Sequence, residues 1–158
     1  SPKRIDGNRG ASGIDGLIAT AAGFFAGLLK PGTLLIGDLA FLHDLNSLHQ
    51  LSRLTQPVII VLINNHGGGI FSMLPISRYE SLMPFFATPH ALTFVDAARM
   101  FGLAYEKPQT INEFISGYQS ALRRNSHCLI EITSEQERNA QIHRQCEQFL
   151  IRLGDDSR

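Results

Sequence analysis

Several common signals are missing from this sequence, and each absence excludes a class of protein. Only two cysteines occur among the 158 residues, which is too few for a disulfide framework. Lysine plus arginine and aspartate plus glutamate number 14 each, so no field of one sign exists to attract nucleic acid or an anionic membrane. The longest apolar run, residues 58–63, is too short to cross a bilayer. Nothing signals secretion, and we predict a cytoplasmic protein without nucleic-acid or membrane partners.

The cysteines and histidines do not form a metal-binding pattern. Cys128 falls in a predicted strand and Cys146 on the apolar face of a predicted helix, so we expect two buried free thiols in a reducing compartment. His143 and Glu147 share a helix face, but no third ligand stands near them in the sequence. We therefore do not expect a metal site built from histidine.

The sequence does contain an alternation of apolar strands with amphipathic helices. With 44% hydrophobic and 18% charged residues, it suits one well-packed domain. Short apolar runs predict strands at residues 33–36, 58–63, 103–106 and 128–133. Helical spacing predicts helices at 12–29, 39–54, 93–101, 110–122 and 134–150, and a short helix at 70–74 before an irregular loop to residue 90. This alternation predicts an α/β fold of three layers, α/β/α, with a mostly parallel sheet.

The last three long helices carry start signals, and the final two carry apolar faces. The start signals pair a hydroxyl with an acid three residues later: Thr93 with Asp96, Thr110 with Glu113, and Ser134 with Glu137. The residues predicted to face inward are Phe114, Ile115, Tyr118 and Leu122 on one helix, and Ile142, Cys146, Phe149 and Leu150 on the other.

Polar residues follow the first two predicted strands directly. Asp38 follows the first strand and Asn65 the second. Because ligands bind at the carboxyl ends of parallel strands, we expect both side chains to contribute to a site there. Their oxygens suit Mg²⁺, and the N–H groups of Leu39 and Ala40 suit a phosphate. Taken singly, each pattern also suits a simple turn or a helix cap, and both interpretations stay open on the residues alone.

Taken together, these residues resemble the thiamine diphosphate-binding signature of the thiamine enzymes. Gly37-Asp38 is followed by Asn65 at a distance of 65 − 38 = 27 positions. In that family the aspartate, the second asparagine and a carbonyl two residues later hold the metal that anchors the diphosphate. The resemblance therefore implies Asp38, Asn65 and Gly67 as ligands of Mg²⁺ or Mn²⁺. Leu39 departs from the usual Gly-Asp-Gly pattern, so the tight turn must be made with a side chain present.

Longer motifs narrow the resemblance to one family over essentially the whole chain. They are Asn8-Arg9-Gly10-Ala11-Ser12-Gly13-Ile14-Asp15-Gly16, Gly37-Asp38-Leu39, Asp44-Leu45-Asn46, and the run from Asn64 to Pro75. They resemble the 2-succinyl-5-enolpyruvyl-6-hydroxy-3-cyclohexene-1-carboxylate synthases, which are thiamine diphosphate enzymes of menaquinone biosynthesis. The resemblance implies a transferase (carboligase) that decarboxylates 2-oxoglutarate and adds the four-carbon unit to isochorismate, and a homo-oligomer, dimer or tetramer.

The same resemblance implies roles for further residues. The residues implied to contact the cofactor are Ile14, Gly37, Asp38, Leu39, Ala40, Asn65, Gly67 and Gly68. Arg9 would pair with a substrate carboxylate, although a surface salt bridge also suits an arginine. Ile70, Phe71 and Leu74 would line the apolar side of the substrate pocket, and ordinary packing is the alternative. His66 is expected to be a turn residue.

The glutamate that activates the cofactor in thiamine enzymes lies in a pyrimidine-binding domain, and we find no such domain in residues 1–158. We therefore expect a single diphosphate-binding domain, a C-terminal fragment that is inactive alone and binds thiamine diphosphate weakly or not at all. Its apolar segment 70–86 is expected to self-associate or to be disordered. Two rival hypotheses stay open: another thiamine diphosphate-dependent decarboxylase or carboligase, and a non-catalytic binding module.

Overall fold

The computed structural model describes residues 5–8 and 13–155, and these form two compact units. The first unit comprises the residues up to Asn64 together with Thr93–Ile132. The second comprises Asn65–Leu92 together with the residues from Thr133 on. The strands are β1 (Gly32–Gly37), β2 (Val58–Asn64), β3 (Ala104–Glu106) and β4 (Cys128–Thr133). The α-helices are α1 (Leu17–Leu28), α2 (Asp38–His43), α3 (Leu48–Leu51), α4 (Met83–Ala87), α5 (Val95–Met100), α6 (Ile111–Arg124) and α7 (Gln136–Asp155).

The described strands form one four-stranded sheet in the order β1-β2-β4-β3. β1 pairs with β2 in parallel, from Gly32 opposite Val58 to Gly37 opposite Ile63, and β3 pairs with β4 in parallel. The carboxyl ends of β1 and β2 therefore lie at the same edge of the sheet. All four predicted strands are confirmed.

β2 is buried on both faces and separates two cores within the first unit. One core contains Val58, Ile60 and Leu62 and packs against α1, α2, α3 and α5. The other contains Ile59 and Val61 and packs against α6. Alternation of side chains along the strand explains this division, because successive residues point to opposite faces. The predicted three-layer α/β/α fold is confirmed.

Two predicted helices of the first unit differ from those observed. α1 begins at Leu17 rather than at residue 12, because Gly16 adopts a left-handed conformation (φ 62°) before the first turn. The helix predicted over 39–54 is interrupted at Asp44, where the backbone leaves the helical conformation. Asp44 is buried, and its carboxylate accepts the Ala19 N–H at 2.8 Å and the Ser47 hydroxyl at 2.5 Å. The hydrogen bond from Ala19 joins distant parts of the chain: it holds Asp44 at the point where α2 ends, and it satisfies an N–H in the first turn of α1 that has no acceptor within that helix.

Helix starts and inward faces were predicted with mixed success. Thr110 caps α6 as predicted, since its hydroxyl accepts the Glu113 N–H at 3.2 Å. The predicted Thr93 cap is wrong, because Phe94 occupies the cap position of α5 and makes no side-chain cap. On α6, Phe114 and Tyr118 pack against the core as predicted, whereas Ile115 and Leu122 are exposed and Ala121 is buried instead.

The second unit contains more regular structure than the loop predicted for it. The short helix predicted at 70–74 is present as the 3-10 helix Gly69–Met73, and a second 3-10 helix, Pro75–Arg78, and α4 follow where an irregular loop was expected. α7 starts at Gln136 and has its buried residue Ala140 close to its start. The residues of its predicted inward face, Ile142, Cys146, Phe149 and Leu150, are all exposed. No helix within residues 5–8 and 13–155 is long and apolar enough to span a membrane.

The two cysteines differ in environment, so the prediction of two buried thiols is wrong for one of them. Cys128 is 1% exposed and packs with Ile59 and Ile130 in the core between the sheet and α6. Burial raises the pKa of the Cys128 thiol to about 11, and the nearby Glu106 carboxylate acts in the same direction. Cys146 is exposed because no described residue covers the distal part of α7.

Candidate cofactor site

Asp38 is a buried carboxylate at the carboxyl end of β1. It is the first residue of α2 and is 2% exposed. Its Oδ1 accepts the Leu39 N–H at 2.7 Å. Asp38 and Asn64 each follow the last residue pair of the β1–β2 ladder, so both lie at the same edge of the sheet. An aspartate in this position offers oxygen ligands where ligands of parallel sheets bind.

Leu39, the departure from the family pattern, causes no strain at this turn. It is the second residue of α2, is half-buried, and is absent from the residues with positive φ. Gly37 before the helix is extended, with φ −84° and ψ 161°, and has open space where a Cβ would stand. The chain therefore turns from strand to helix through conformations that any L-residue adopts.

The turn from Asn65 to Gly69 opens the second unit and depends on its glycines. Gly67 has φ 139°, and a Cβ built there would lie 2.5 Å from the Ala87 carbonyl oxygen. The Gly68 N–H donates to that same Ala87 oxygen at 2.7 Å. The Gly67 carbonyl accepts the Gly69 N–H at 3.0 Å. A side chain at residue 67 would therefore disrupt the turn on both conformational and steric grounds.

Asn65 and His66 are both fixed within this unit. The main-chain oxygen of Asn65 accepts the Gln136 Nε2–H at 2.9 Å. His66 has a left-handed backbone (φ 63°), which agrees with its predicted place in a turn, and its ring lies 5.9 Å from that of His90. Asn65 is half-buried, so its amide is partly shielded from water.

The apolar candidates for the substrate pocket lie on the 3-10 helix Gly69–Met73 and just after it. Ile70 and Leu74 are exposed, at 59% and 42%, whereas Phe71 is half-buried with its ring 5.6 Å from that of Phe86. The exposed pair therefore has surface available for an apolar ligand or partner. Ile14 is 39% exposed in the turn before α1 rather than in the helix core. Arg9 lies outside the described residues.

The oxygen donors fit the metal and diphosphate that the sequence resemblance implies. Within residues 5–8 and 13–155, no group of three or more His, Cys, Asp or Glu residues could hold a metal ion. A site here would therefore draw on amide and carbonyl oxygens, which are ligands of hard cations such as Mg²⁺. The buried Asp38 carboxylate of the first unit and the Gly67 carbonyl of the second are each oxygen donors of this kind.

A family model supplies the deciding comparison. Residues 7–132 match the thiamine pyrophosphate enzyme, C-terminal TPP binding domain. The chain belongs to this thiamine pyrophosphate enzyme family. The match covers the strands β1 and β2 and the residues Asp38, Asn65 and Gly67, and it ends before α7.

Several relatives about half identical to this chain have the same name. The chain is similar to proteins named 2-succinyl-5-enolpyruvyl-6-hydroxy-3-cyclohexene-1-carboxylate synthase from Chlorobaculum parvum, at 53% identity over 90% of the chain, and Rubrobacter xylanophilus, at 50% over 91%. The same name belongs to a relative from Aeromonas salmonicida, at 52% over 78%. The chain spans about a quarter of the length of these relatives: 25%, 25% and 22%.

Solved structures share the thiamine pyrophosphate enzyme fold at low sequence identity. Benzoylformate decarboxylase from Polynucleobacter necessarius superposes with a TM-score of 0.69 at 20% identity, over 80% of this chain and 24% of that one. A thiamine diphosphate-dependent 4-hydroxybenzoylformate decarboxylase from Rhodococcus jostii RHA1 gives a TM-score of 0.57 at 24% identity, over 65% of this chain and 19% of that one. At these identities the likeness supports the fold and nothing further.

Sequence reasoning missed Glu131, a fully buried carboxylate on β4. Its Oε1 accepts Asn64 Nδ2–H at 2.8 Å, and its Oε2 accepts the Phe94 N–H and the Tyr105 hydroxyl, each at 2.9 Å. Lys107 Nζ lies 3.9 Å from Oε1. Burial and the hydrogen bond to Glu131 raise the pKa of Tyr105 well above its usual value, so the hydroxyl stays a donor.

This network fixes the end of β2. Asn64 is 0% exposed and is the last residue of the strand, directly before Asn65. A sequence signal for it does exist, because a glutamate between apolar residues of a buried strand requires donors from elsewhere in the fold. The identity of those donors is not readable from the sequence.

Proposed function

We propose that this chain is the diphosphate-binding domain of a 2-succinyl-5-enolpyruvyl-6-hydroxy-3-cyclohexene-1-carboxylate synthase. In this proposal the whole enzyme is a cytoplasmic transferase that decarboxylates 2-oxoglutarate and adds the four-carbon unit to isochorismate. The supporting observation is the buried Asp38 at the carboxyl end of β1, in a chain half identical to relatives of that name. Both cysteines are free thiols, which is compatible with a reducing compartment.

The proposed metal ligands are Asp38, Asn65 and the Gly67 carbonyl, with Mg²⁺ or Mn²⁺ as the metal. Three protein oxygens leave positions for diphosphate oxygens in an octahedral shell. The buried environment of Asp38 supports its role, because a carboxylate removed from water gains from a cation partner. The glycine-dependent turn supports the role of Gly67, because a backbone with φ 139° and no room for a Cβ holds the Gly67 carbonyl in a defined position.

The remaining cofactor and substrate contacts belong to the same proposal. The backbone of Gly37, Leu39, Ala40 and Gly68 would contact the diphosphate, and Ile14 would support the thiazolium ring. Arg9 would bind a substrate carboxylate in bidentate fashion. Ile70, Phe71 and Leu74 would line the apolar side of the substrate site. Thiamine diphosphate supplies the electron sink for decarboxylation, and the residues of this chain bind it, orient it and exclude water.

The whole enzyme needs more than these 158 residues. The chain spans about a quarter of its relatives, so the proposal assigns the pyrimidine-binding and central domains, with the activating glutamate, to sequence outside it. We propose a homo-oligomer in which another subunit contributes that glutamate. The isolated chain is then expected to be inactive.

The test is an assay of the full-length protein that carries this chain, with two sets of substrates. With Mg²⁺ and thiamine diphosphate, 2-oxoglutarate plus isochorismate should give the cyclohexene carboxylate product named in the relatives. Decarboxylation of benzoylformate in preference to 2-oxoglutarate would instead support another thiamine-dependent decarboxylase. Cofactor binding with no turnover of any of these substrates would support a non-catalytic binding module.

A further inference from the structure

The start of α7 contacts the turn that carries the proposed metal ligand Asn65. Gln136, the first residue of α7, is half-buried and donates its Nε2–H to the Asn65 main-chain oxygen at 2.9 Å. Both residues belong to the second unit. Gln136 lies beyond residues 7–132, so the general thiamine pyrophosphate enzyme pattern does not include it.

Gly69 gives the Asn65 side chain its space. A Cβ built on Gly69 would stand 2.7 Å from Asn65 Nδ2, and 3.6 and 3.7 Å from Cγ and Cδ of Gln136. The backbone of Gly69 is not in the left-handed region, so alanine could adopt its conformation. What glycine contributes here is therefore room for the amide of Asn65, whose Nδ2 lies against the position a side chain would fill.

We propose that Gln136 and Gly69 are positioning residues for the metal ligand Asn65. Gln136 fixes the main chain of Asn65 through its hydrogen bond, and Gly69 leaves room for the Asn65 side-chain amide. Neither residue contacts the metal. The inference rests on the proposed metal role of Asn65 and adds the residues that prepare it. Residues that orient metal ligands in this way commonly change metal affinity by about 10–100-fold when they are replaced.

Two variants and two matched controls separate positioning from general destabilisation. Gln136→Met keeps the length of the side chain and removes the donor. Gln141→Met makes the same change at an exposed position of the same helix. Gly69→Ala adds a methyl group against the Asn65 amide, and Gly23→Ala adds one in α1 where nothing lies within 4 Å.

The experiment uses the full-length protein that carries this chain, labelled with ¹⁵N-asparagine, with Mg²⁺ and thiamine diphosphate as probes. Without metal, Gln136→Met and Gly69→Ala should shift or broaden the side-chain amide signals of Asn65. In calorimetric titrations both should weaken Mg²⁺ binding by about tenfold or more. Gln141→Met and Gly23→Ala should leave the signals and the Mg²⁺ affinity as in the parent protein.

The outcomes distinguish the inference from the function on which it rests. If Mg²⁺ shifts the Asn65 signals of the parent protein but Gln136→Met and Gly69→Ala bind Mg²⁺ as tightly as their controls, the positioning role is refuted alone. If Mg²⁺ leaves the Asn65 signals of the parent unchanged, the metal assignment fails and the positioning role fails with it. Mg²⁺ binding that is weakened in Gln136→Met and Gly69→Ala but not in their controls supports both the positioning role and the metal assignment.

Discussion

Replacing Glu131 should reveal how much stability its buried hydrogen-bond network supplies. The carboxylate accepts three hydrogen bonds at 2.8–2.9 Å, from Asn64, Phe94 and Tyr105. Glu131→Gln keeps the shape of the side chain but turns one of its acceptors into a donor. If the new NH₂ group takes the place of Oε1, it faces the Asn64 amide donor; if it takes the place of Oε2, it faces the Phe94 N–H and the Tyr105 hydroxyl. The backbone N–H of Phe94 cannot rotate away from it.

The expected cost follows from the number of donors affected. A hydrogen bond to a charged group contributes about 1.5–3 kcal/mol, so Glu131→Gln should lower the free energy of unfolding by about 2 kcal/mol. Glu131→Ala leaves all three donors without this acceptor and leaves Lys107 without its carboxylate, 3.9 Å away. Its cost should reach about 4 kcal/mol, in the range measured for broken buried ion pairs. Tyr105→Phe should cost about 1.5 kcal/mol.

Urea denaturation of the chain, followed by circular dichroism, measures these differences at neutral pH. Glu80→Gln is the matched control, because Glu80 is exposed and the same change there should alter stability by less than about 0.5 kcal/mol. The double variant Tyr105→Phe with Glu131→Gln should show a coupling free energy above about 0.5 kcal/mol. If Glu131→Gln costs no more than Glu80→Gln, the carboxylate does not hold the network and the reasoning fails.

Three further predictions concern the cysteines and a glycine. With its pKa raised to about 11, buried Cys128 should resist thiol reagents in the native chain, whereas the exposed Cys146 should react. A thiol reagent should therefore titrate one thiol before unfolding and two after unfolding. Rapid reaction of both thiols in the native chain would contradict this. The stability that neutral Cys128 contributes is present below pH 9 and should be lost as pH rises from 9 towards 11, by roughly 2–3 kcal/mol in denaturation measurements. Gly67→Ala should destabilise the chain by about 3 kcal/mol, because φ is 139° and the Ala87 oxygen would lie 2.5 Å from the new Cβ. The control Gly23→Ala should instead stabilise α1 by about 0.5–1 kcal/mol. Equal shifts of the melting temperature for the two variants would count against the turn geometry.

The strands and the edge that carries Asp38 could be predicted because their signals are local. β2 is a run of β-branched residues buried on both faces, and the residues after β1 and β2 are the polar ones expected at a ligand-binding edge. The turn at Leu39 was predicted to be made with a side chain present, and in the structure Leu39 is the second residue of α2 with ordinary helical backbone. In each case the determining interactions lie within a few residues along the chain.

What the sequence did not predict depends on contacts between distant residues. The helix predicted over 39–54 stops at Asp44 because that side chain binds the Ala19 N–H, 25 residues away. Glu131 accepts a hydrogen bond from the side chain of Asn64, which lies 67 positions away in the sequence, and no local pattern identifies that partner. The exposure of Cys146 also depends on what covers α7, since helical periodicity shows that a face is apolar but not that another element packs on it.

Mg²⁺-dependent binding of thiamine diphosphate tests the central claim most directly. Calorimetry on the full-length protein that carries this chain would compare the parent with Asp38→Asn and Asp44→Asn. Both aspartates are buried, and the Asp44 carboxylate accepts hydrogen bonds from the Ala19 N–H and the Ser47 hydroxyl, so Asp44→Asn is the matched control. Asp38→Asn should weaken Mg²⁺-dependent binding by at least about a hundredfold, because loss of a direct metal ligand costs more affinity than loss of a residue that only orients a ligand. Asp44→Asn should lower the stability of the protein and leave the affinity unchanged. Binding by Asp38→Asn at the parent affinity would contradict the assignment.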